Sequence, residues 1–319
     1  CRTGRFIFTR SLNAKPRVLA ITGPTASGKS ELALELAQKY PMEVVCVDSV
    51  AVYRGMDIGT AKPSSEVRRR IAHHLIDIRD PAETYSAADF LTDSTTIIFE
   101  ILNRGKIPCL VGGTMLYLSA IKNGIARLPP ADAKVRKAIL REANVSGWPA
   151  IHKRLAEVDP KSASRINVND PQRLQRALEV YLVTGRSLSE HHERGNRPSP
   201  FDLVEIAIIP KRDMLHLKIE RRLTAMLEAG FIEEVRGLYS RDDLDSQLPS
   251  MKAVGYRQIW SYLDGQISYN DMLEQALIST RRLAKHQCTW LKSWSGLQIL
   301  EQPEPKELLK IPLVSTILR

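Results

Sequence analysis

No apolar run in this chain approaches the roughly 20 residues that a membrane-spanning helix needs, so no membrane partner is expected. Cysteine is scarce. Cys1, Cys46, Cys109 and Cys288 are too far apart for a CxxC pair, so a zinc site is not expected. Cys46 and Cys109 stand inside apolar, strand-like runs, where a reduced, buried thiol is expected, as suits a reducing cytoplasm. There is no internal repeat and no low-complexity segment, which excludes a solenoid. Residues 1–16 lack the apolar run and cleavage site of a signal peptide and read as a disordered lead-in. Acidic residues are missing altogether between Glu274 and Glu301.

What is present is an ordinary globular composition, 43% hydrophobic and 26% charged, over 319 residues, enough for one large core or two domains. The net charge of +10 favours a polyanionic partner without naming one; a basic enzyme that never meets nucleic acid has the same signature. Four apolar runs read as strands: residues 17–22, 43–47, 107–111 and 203–209. Helical stretches separate them, which predicts a parallel α/β sheet covered on both faces, with ligands beyond the carboxyl ends of the strands. Between residues 117 and 200 the strand signal gives way to helical spacing (Val135, Ile139; Leu174, Leu178, Tyr181), read as an all-helical insertion. Residues 191–200 look like a mobile loop returning to the sheet. The expected organisation is therefore a core of residues 17–116 and 201–300, the insertion at 117–200, and a tail at 301–319.

Gly23-Pro24-Thr25-Ala26-Ser27-Gly28-Lys29-Ser30 matches G-x-x-x-x-G-K-[ST] between a predicted strand and a predicted helix, the context that such a phosphate loop requires. Its glycines let backbone N–H groups turn towards phosphate oxygens, and the helix N-terminus adds positive potential. Lys29 supplies a point charge and Ser30 can hold a magnesium ion. A kinase or ATPase is the first expectation for such a loop. Those enzymes usually carry an acidic magnesium ligand after a further strand, whereas the run 107–111 ends here in Gly112-Gly113. Asp48 ends the second strand facing the P-loop. It can orient a magnesium water, accept a proton, or simply cap the next turn. On the helix that starts near Asp213, Arg222 falls inside the apolar stripe Leu215, Ile219, Leu223, Met226; such a cation snorkels, pairs with an acid, or points into an anion site. In the acid-free stretch, Arg281, Arg282, Lys285, His286 and Lys292 interleave with Trp290 and Trp294. That suits RNA through phosphate contacts and base stacking, and equally suits an amphipathic helix with a solvated basic face.

Residues 48–63, DSVAVYRGMDIGTAKP, together with GPTASGKS, resemble the tRNA dimethylallyltransferase (tRNA isopentenyltransferase) family. The resemblance continues through HLIDIRDP (74–81), YSAADF (85–90), VGGTMLY (111–117), NDPQRLQRALE (169–179), VGYR (254–257) and KHQCTWLK (285–292), and spans residues 18–294. It implies a P-loop NTPase-like sheet with a helical insertion that grips the anticodon stem-loop of tRNA. It implies transfer of a dimethylallyl group from dimethylallyl diphosphate to the exocyclic amine of the adenosine at tRNA position 37, by a cytoplasmic monomer. The P-loop would hold the diphosphate with Mg2+. Asp48 would face the adenine amine as acceptor or general base, with Thr25 and Arg222 assisting at the diphosphate. The positions matching tRNA contacts are Asp48, Ser49, Val50 and Ala51; Thr114; Arg136; Gln172, Arg173, Leu174, Gln175 and Arg176; Lys252, Ala253, Val254, Gly255, Tyr256 and Arg257; and Lys285, His286, Gln287, Cys288, Thr289, Trp290, Leu291 and Lys292. Many relatives carry Gln or Leu where this chain has Val50-Ala51, which bears on fine base contacts. The zinc finger of many eukaryotic members has no Cys/His counterpart here, so the chain resembles the bacterial type.

Overall fold

The structure is a computed structural model that describes residues 15–126, 128–193 and 199–318. The expected lead-in, apart from residues 15 and 16, and residues 194–198 of the expected loop lie outside the described residues. The chain divides into two compact units, residues 1–122 with 200–319, and residues 123–199.

The first unit is built on six strands: β1 (Arg17–Thr22), β2 (Met42–Val47), β3 (His73–His74), β4 (Ile107–Gly112), β5 (Asp202–Ile208) and β6 (Gln298–Leu300). They pair in the order β3-β2-β4-β1-β5-β6, every pair parallel. Parallel strands must be joined by crossovers that bury both faces, and the sequence shows it: Val18, Leu19, Ala20 and Ile21 of β1 are all buried. The four runs expected as strands are all present. The two short ones, β3 and β6, were not expected. Two or three residues carry no periodicity, and these strands exist because Val44–Val45 and Ile206–Ile208 offer them a ladder.

Helices α1 (Lys29–Ala37), α2 (Ser65–Arg70), α3 (Ala87–Asn103) and α4 (Met115–Asn123) connect the first strands. α1 starts at Gly28, whose φ of 92° is open to glycine at little cost, and it turns the chain from β1 into the helix. α3 opens on a capping box, Ser86 with Asp89. α4 corrects the expected boundary at residue 117. Tyr117 stacks on Phe90 of α3 with centroids 4.2 Å apart, so this helix belongs to the α/β unit.

The second unit is all helical: α5 (Ala133–Val158), α6 (Pro160–Ala163), α7 (Pro171–Thr184) and α8 (Leu188–Glu193). α5 is broken at Gly147, which has φ 78° and ψ 160° and is followed by Pro149. Ile139, Ile151, Leu155, Leu174 and Leu178 form a core of its own.

The chain returns to the first unit through β5 and α9 (Arg212–Glu228), α10 (Phe231–Tyr239), α11 (Tyr256–Leu263) and α12 (Tyr269–Lys292). The stretch expected as a tail instead forms α13 (Pro305–Leu309) and α14 (Pro312–Ile317). Leu308, Val314 and Leu318 join the central core with Leu19, Leu32 and Ile206. Their spacing of six and four residues was too short a pattern to show in the sequence.

On β2, Glu43 is buried yet charged. Burial works to raise its pKa, but hydrogen bonds from Arg104, Lys106 and His74 outweigh it and bring the pKa down to about 2. The Arg104 and Lys106 contacts are 2.7 and 2.8 Å. A folded pKa below the unfolded one stabilises the fold above the ordinary carboxylate range, and that contribution is lost as pH falls from about 4 towards about 2. The fall in urea midpoint on acidification through that range should therefore be smaller in Glu43→Gln than in the unsubstituted protein; equal acid sensitivity would count against this account.

Candidate active site

The carboxyl ends of β1, β2 and β4 converge, as the parallel topology requires. A cavity of about 790 Å³ opens there, lined by the P-loop, Asp48, the loop around Thr60, the inner face of α9, and Val254, Gly255 and Tyr256. All of these residues belong to the first unit.

The P-loop is held from within. Lys29 Nζ donates to the Pro24 carbonyl (3.1 Å), and Ser27 N–H to the same oxygen (3.2 Å). The Ser27 hydroxyl is buried without a partner among the described residues. Burial and, to a lesser extent, the nearby Arg222 guanidinium together bring the Lys29 pKa down to about 8, against the opposing pull of Asp48. Arg222 is itself depressed by burial, with Asp48 acting against it. Arg222 lines the cavity beside Lys29 and Asp48, on the face that Leu215 and Ile219 bury. No ion pair involving Arg222 is found among the described residues, which favours the anion-site alternative over pairing. Two cations side by side with one carboxylate make a site for a polyanion.

Asp48 does cap the following turn: its Oδ1 accepts from Val50 N–H (2.8 Å) and Ala51 N–H (3.2 Å). Capping leaves the carboxylate available, because among the described residues only Oδ1 accepts these bonds and the residue still lines the cavity. Thr114 joins the same turn by accepting from Ser49 N–H at 3.0 Å. Gln287, on the inward face of α12, accepts from Thr25 N–H (2.9 Å) and donates to the Gly113 carbonyl (2.8 Å).

The wall opposite the P-loop is set by a residue with no local signal. Glu234 of α10 accepts from the N–H groups of Asp57, Ile58 and Gly59 at 2.9, 2.6 and 3.2 Å, and from the Tyr256 hydroxyl at 2.6 Å. A Cβ on Gly59 would lie 2.2 Å from the Phe231 ring, which explains glycine there. Lys62, its side chain 1% exposed, ties this loop to Tyr53, Asp57 and Asp77. Lys218 and Arg221, also cavity-lining, escaped the sequence reading although Lys218 precedes Arg222 by one helical turn.

The positions expected to meet RNA differ in their surroundings. Leu174 and Leu291 have buried side chains that pack beneath the surface, whereas Ala51 and Tyr256, also buried, line the cavity. Within the helical unit, Arg136 (2.9 Å) and Arg176 (2.6 Å) are both paired with the buried Glu179, which also accepts from Asp132 N–H at 2.7 Å. Burial would raise the Glu179 pKa; these hydrogen bonds lower it. Gln172 and Arg173 remain exposed. On α12 the outward face presents Arg282, Lys285, His286, Thr289, Trp290 and Lys292, while Trp294 donates to Glu205 at 2.9 Å. The basic-aromatic stretch is thus an amphipathic helix whose solvated face keeps the groups suited to RNA.

Fold and site together define a P-loop α/β protein whose phosphate loop opens on a cavity with a facing carboxylate rather than on an acidic metal ligand at the end of β4. The family model for IPP transferase matches residues 51–294, and that for isopentenyl transferase residues 16–84. The chain belongs to the IPP transferase family. Among solved structures it is similar to the full-length tRNA isopentenylpyrophosphate transferase of Bacillus halodurans, with 36% identity, TM-score 0.69, and 96% of this chain and 97% of that one covered. It is similar to the tRNA delta(2)-isopentenylpyrophosphate transferase of Staphylococcus epidermidis, with 33% identity, TM-score 0.67, and coverage of 95% and 99%. A eukaryotic dimethylallyltransferase acting on tRNA matches with 28% identity, TM-score 0.77, and coverage of 94% and 77%. These likenesses favour prenyl transfer over the kinase alternative.

Because Lys29 carries its proton below about 8 and loses it above, inorganic diphosphate should bind more weakly as pH rises through that value. Titration calorimetry of Lys29→Met should lack this step while binding weakly throughout. The same pH step in the variant would assign it to another group.

Proposed function

We propose that this tRNA prenyltransferase moves a dimethylallyl group from dimethylallyl diphosphate to the exocyclic N6 amine of the adenosine at tRNA position 37, beside the anticodon, and releases diphosphate. The observation that carries the proposal is that one cavity holds the P-loop, the Lys29–Arg222 cation pair and Asp48 together.

In the transfer, the C1–O bond to the diphosphate breaks as the N6–C1 bond forms. Negative charge grows on the leaving group, where P-loop N–H groups, Lys29 and Arg222 stabilise it without reorganising. The adenine amine is a weak nucleophile because its lone pair is delocalised into the ring. Asp48 orients it and takes the proton it must lose. Thr25, at the rim of the P-loop, assists at the diphosphate. The adenine must leave its stack to reach the cavity.

A magnesium ion fits this donor set. Among the described residues no three acidic or sulfur and imidazole groups cluster as for a protein-held metal. Ser30 offers one hard oxygen at the cavity wall, as for an ion that keeps its waters and binds chiefly to phosphate. Bound there, it would add positive charge at the leaving diphosphate.

The exposed side chains of α12, with Lys252 and Arg257, supply phosphate and stacking contacts to RNA. Gln172 and Arg173 of the helical unit supply contacts to the anticodon stem-loop. The enzyme is read as acting as a monomer. Free thiols at Cys46, Cys109 and Cys288 support a cytoplasmic site of action. No helix among the described residues is long and apolar enough to cross a membrane.

Incubation with labelled dimethylallyl diphosphate and tRNA should place label on the RNA; ATP turnover without labelled RNA would refute the proposal. Asp48→Asn should lower kcat by roughly 10²–10⁴-fold with tRNA affinity nearly intact, and unchanged turnover would remove Asp48 from the chemistry. Arg222→Ala should act on donor use, raising the donor KM and lowering kcat; normal donor kinetics would contradict its place at the diphosphate.

A further inference from the structure

α12 turns two different faces to its surroundings. Lys285, His286, Thr289 and Trp290 point outward, while Ala284, Gln287, Cys288 and Leu291 point inward. Gln287 therefore does not share the surface of its neighbours. Its Oε1 accepts from Thr25 N–H in the P-loop, and its Nε2 donates to the carbonyl of Gly113 at the end of β4. The approach is close. A Cβ on Gly113 would lie 2.7 Å from Nε2 and 3.0 Å from the Gly23 carbonyl, so any larger residue would push the amide off this contact.

The bridge continues beyond Gly113. Thr114 N–H donates to the Val47 carbonyl at 3.1 Å, and Thr114 Oγ1 accepts from Ser49 N–H at 3.0 Å. Ser49 stands beside Asp48, whose Oδ1 holds the turn at Val50 and Ala51. One unbroken set of contacts thus runs from Thr25, through the Gln287 amide and the Gly113–Thr114 turn, to Asp48. No backbone hydrogen bond between the P-loop and residues 48–51 does this work among the described residues.

We infer that Gln287 is a positioning residue that sets the spacing between the diphosphate loop and the acceptor carboxylate, and is not an RNA contact. This rests on the reading of the cavity as a prenyl diphosphate site. An amide suits the task because it accepts and donates at once across a fixed width. The group transfer needs the leaving diphosphate and the Asp48-held amine on opposite sides of one carbon, so the spacing between their holders bears on the rate.

The test uses full-length Gln287→Met, which keeps the volume and loses both hydrogen bonds, and Gly113→Ala, which pushes the intact amide away. Binding of inorganic diphosphate and of an unmodified anticodon stem-loop RNA is measured separately, with thermal melting as a fold control. Both variants should bind diphosphate about tenfold more weakly, and bind the stem-loop within about twofold of the unsubstituted enzyme. In turnover, the donor KM should rise and kcat fall while the tRNA KM holds. A loss of stem-loop affinity with diphosphate binding unchanged would make Gln287 an RNA contact and overturn the inference. Unchanged diphosphate binding in both variants would overturn it as well. If the unsubstituted enzyme itself fails to bind diphosphate, the donor-site reading falls, and the inference with it.

Discussion

Two cations held side by side in a partly buried cleft are the constraint around which this molecule is arranged. Burial depresses both Lys29 and Arg222, and Arg222 depresses Lys29 further, a cost that the fold bears to keep a place ready for a polyanion. Asp48 is the counterweight. It eases both cations electrostatically while its hydrogen bonds to Val50 and Ala51 keep it from collapsing onto either. The apolar packing of Leu215 and Ile219 with Ala284 seats α9 against α12, on the helix that carries Arg222.

The remaining parts of the site serve that arrangement from a distance. Glu234 gathers three successive N–H groups of the loop at Asp57, Ile58 and Gly59, and Lys62 anchors the other end of that loop. Gln287 ties the P-loop to the end of β4. Each of these groups satisfies backbone polar atoms that would otherwise be costly to bury. The site is therefore rigid on its protein side, as a reaction that develops charge without covalent help from the protein requires.

The helical unit and α12 show how residues grouped by one resemblance can differ in work. Arg136 and Arg176 neutralise Glu179 in their own unit, and Leu174 fills its core, whereas Gln172 and Arg173 face solvent. Along α12, the helical period separates Trp290 and Lys285 from Leu291 and Gln287. Adjacency in a motif says that a segment matters, and burial says which side of it touches what.

By itself the sequence determined what is local: the P-loop, because its eight residues are contiguous and flanked by a strand and a helix; the long buried strands, because four or more apolar residues in a row leave no other choice; and the inward place of Arg222, because helical period is a short-range rule. Only the tertiary structure decided the short strands β3 and β6, the docking of α13 and α14, the boundary of the helical unit at residue 123, and the partners of Glu234 and Gln287. Glu234 lies 175 to 177 residues from the backbone it holds, and Gln287 lies 262 residues from Thr25. A contact across such a separation leaves no periodicity in the chain. It comes into being when the sheet brings the ends of β1, β2 and β4 together.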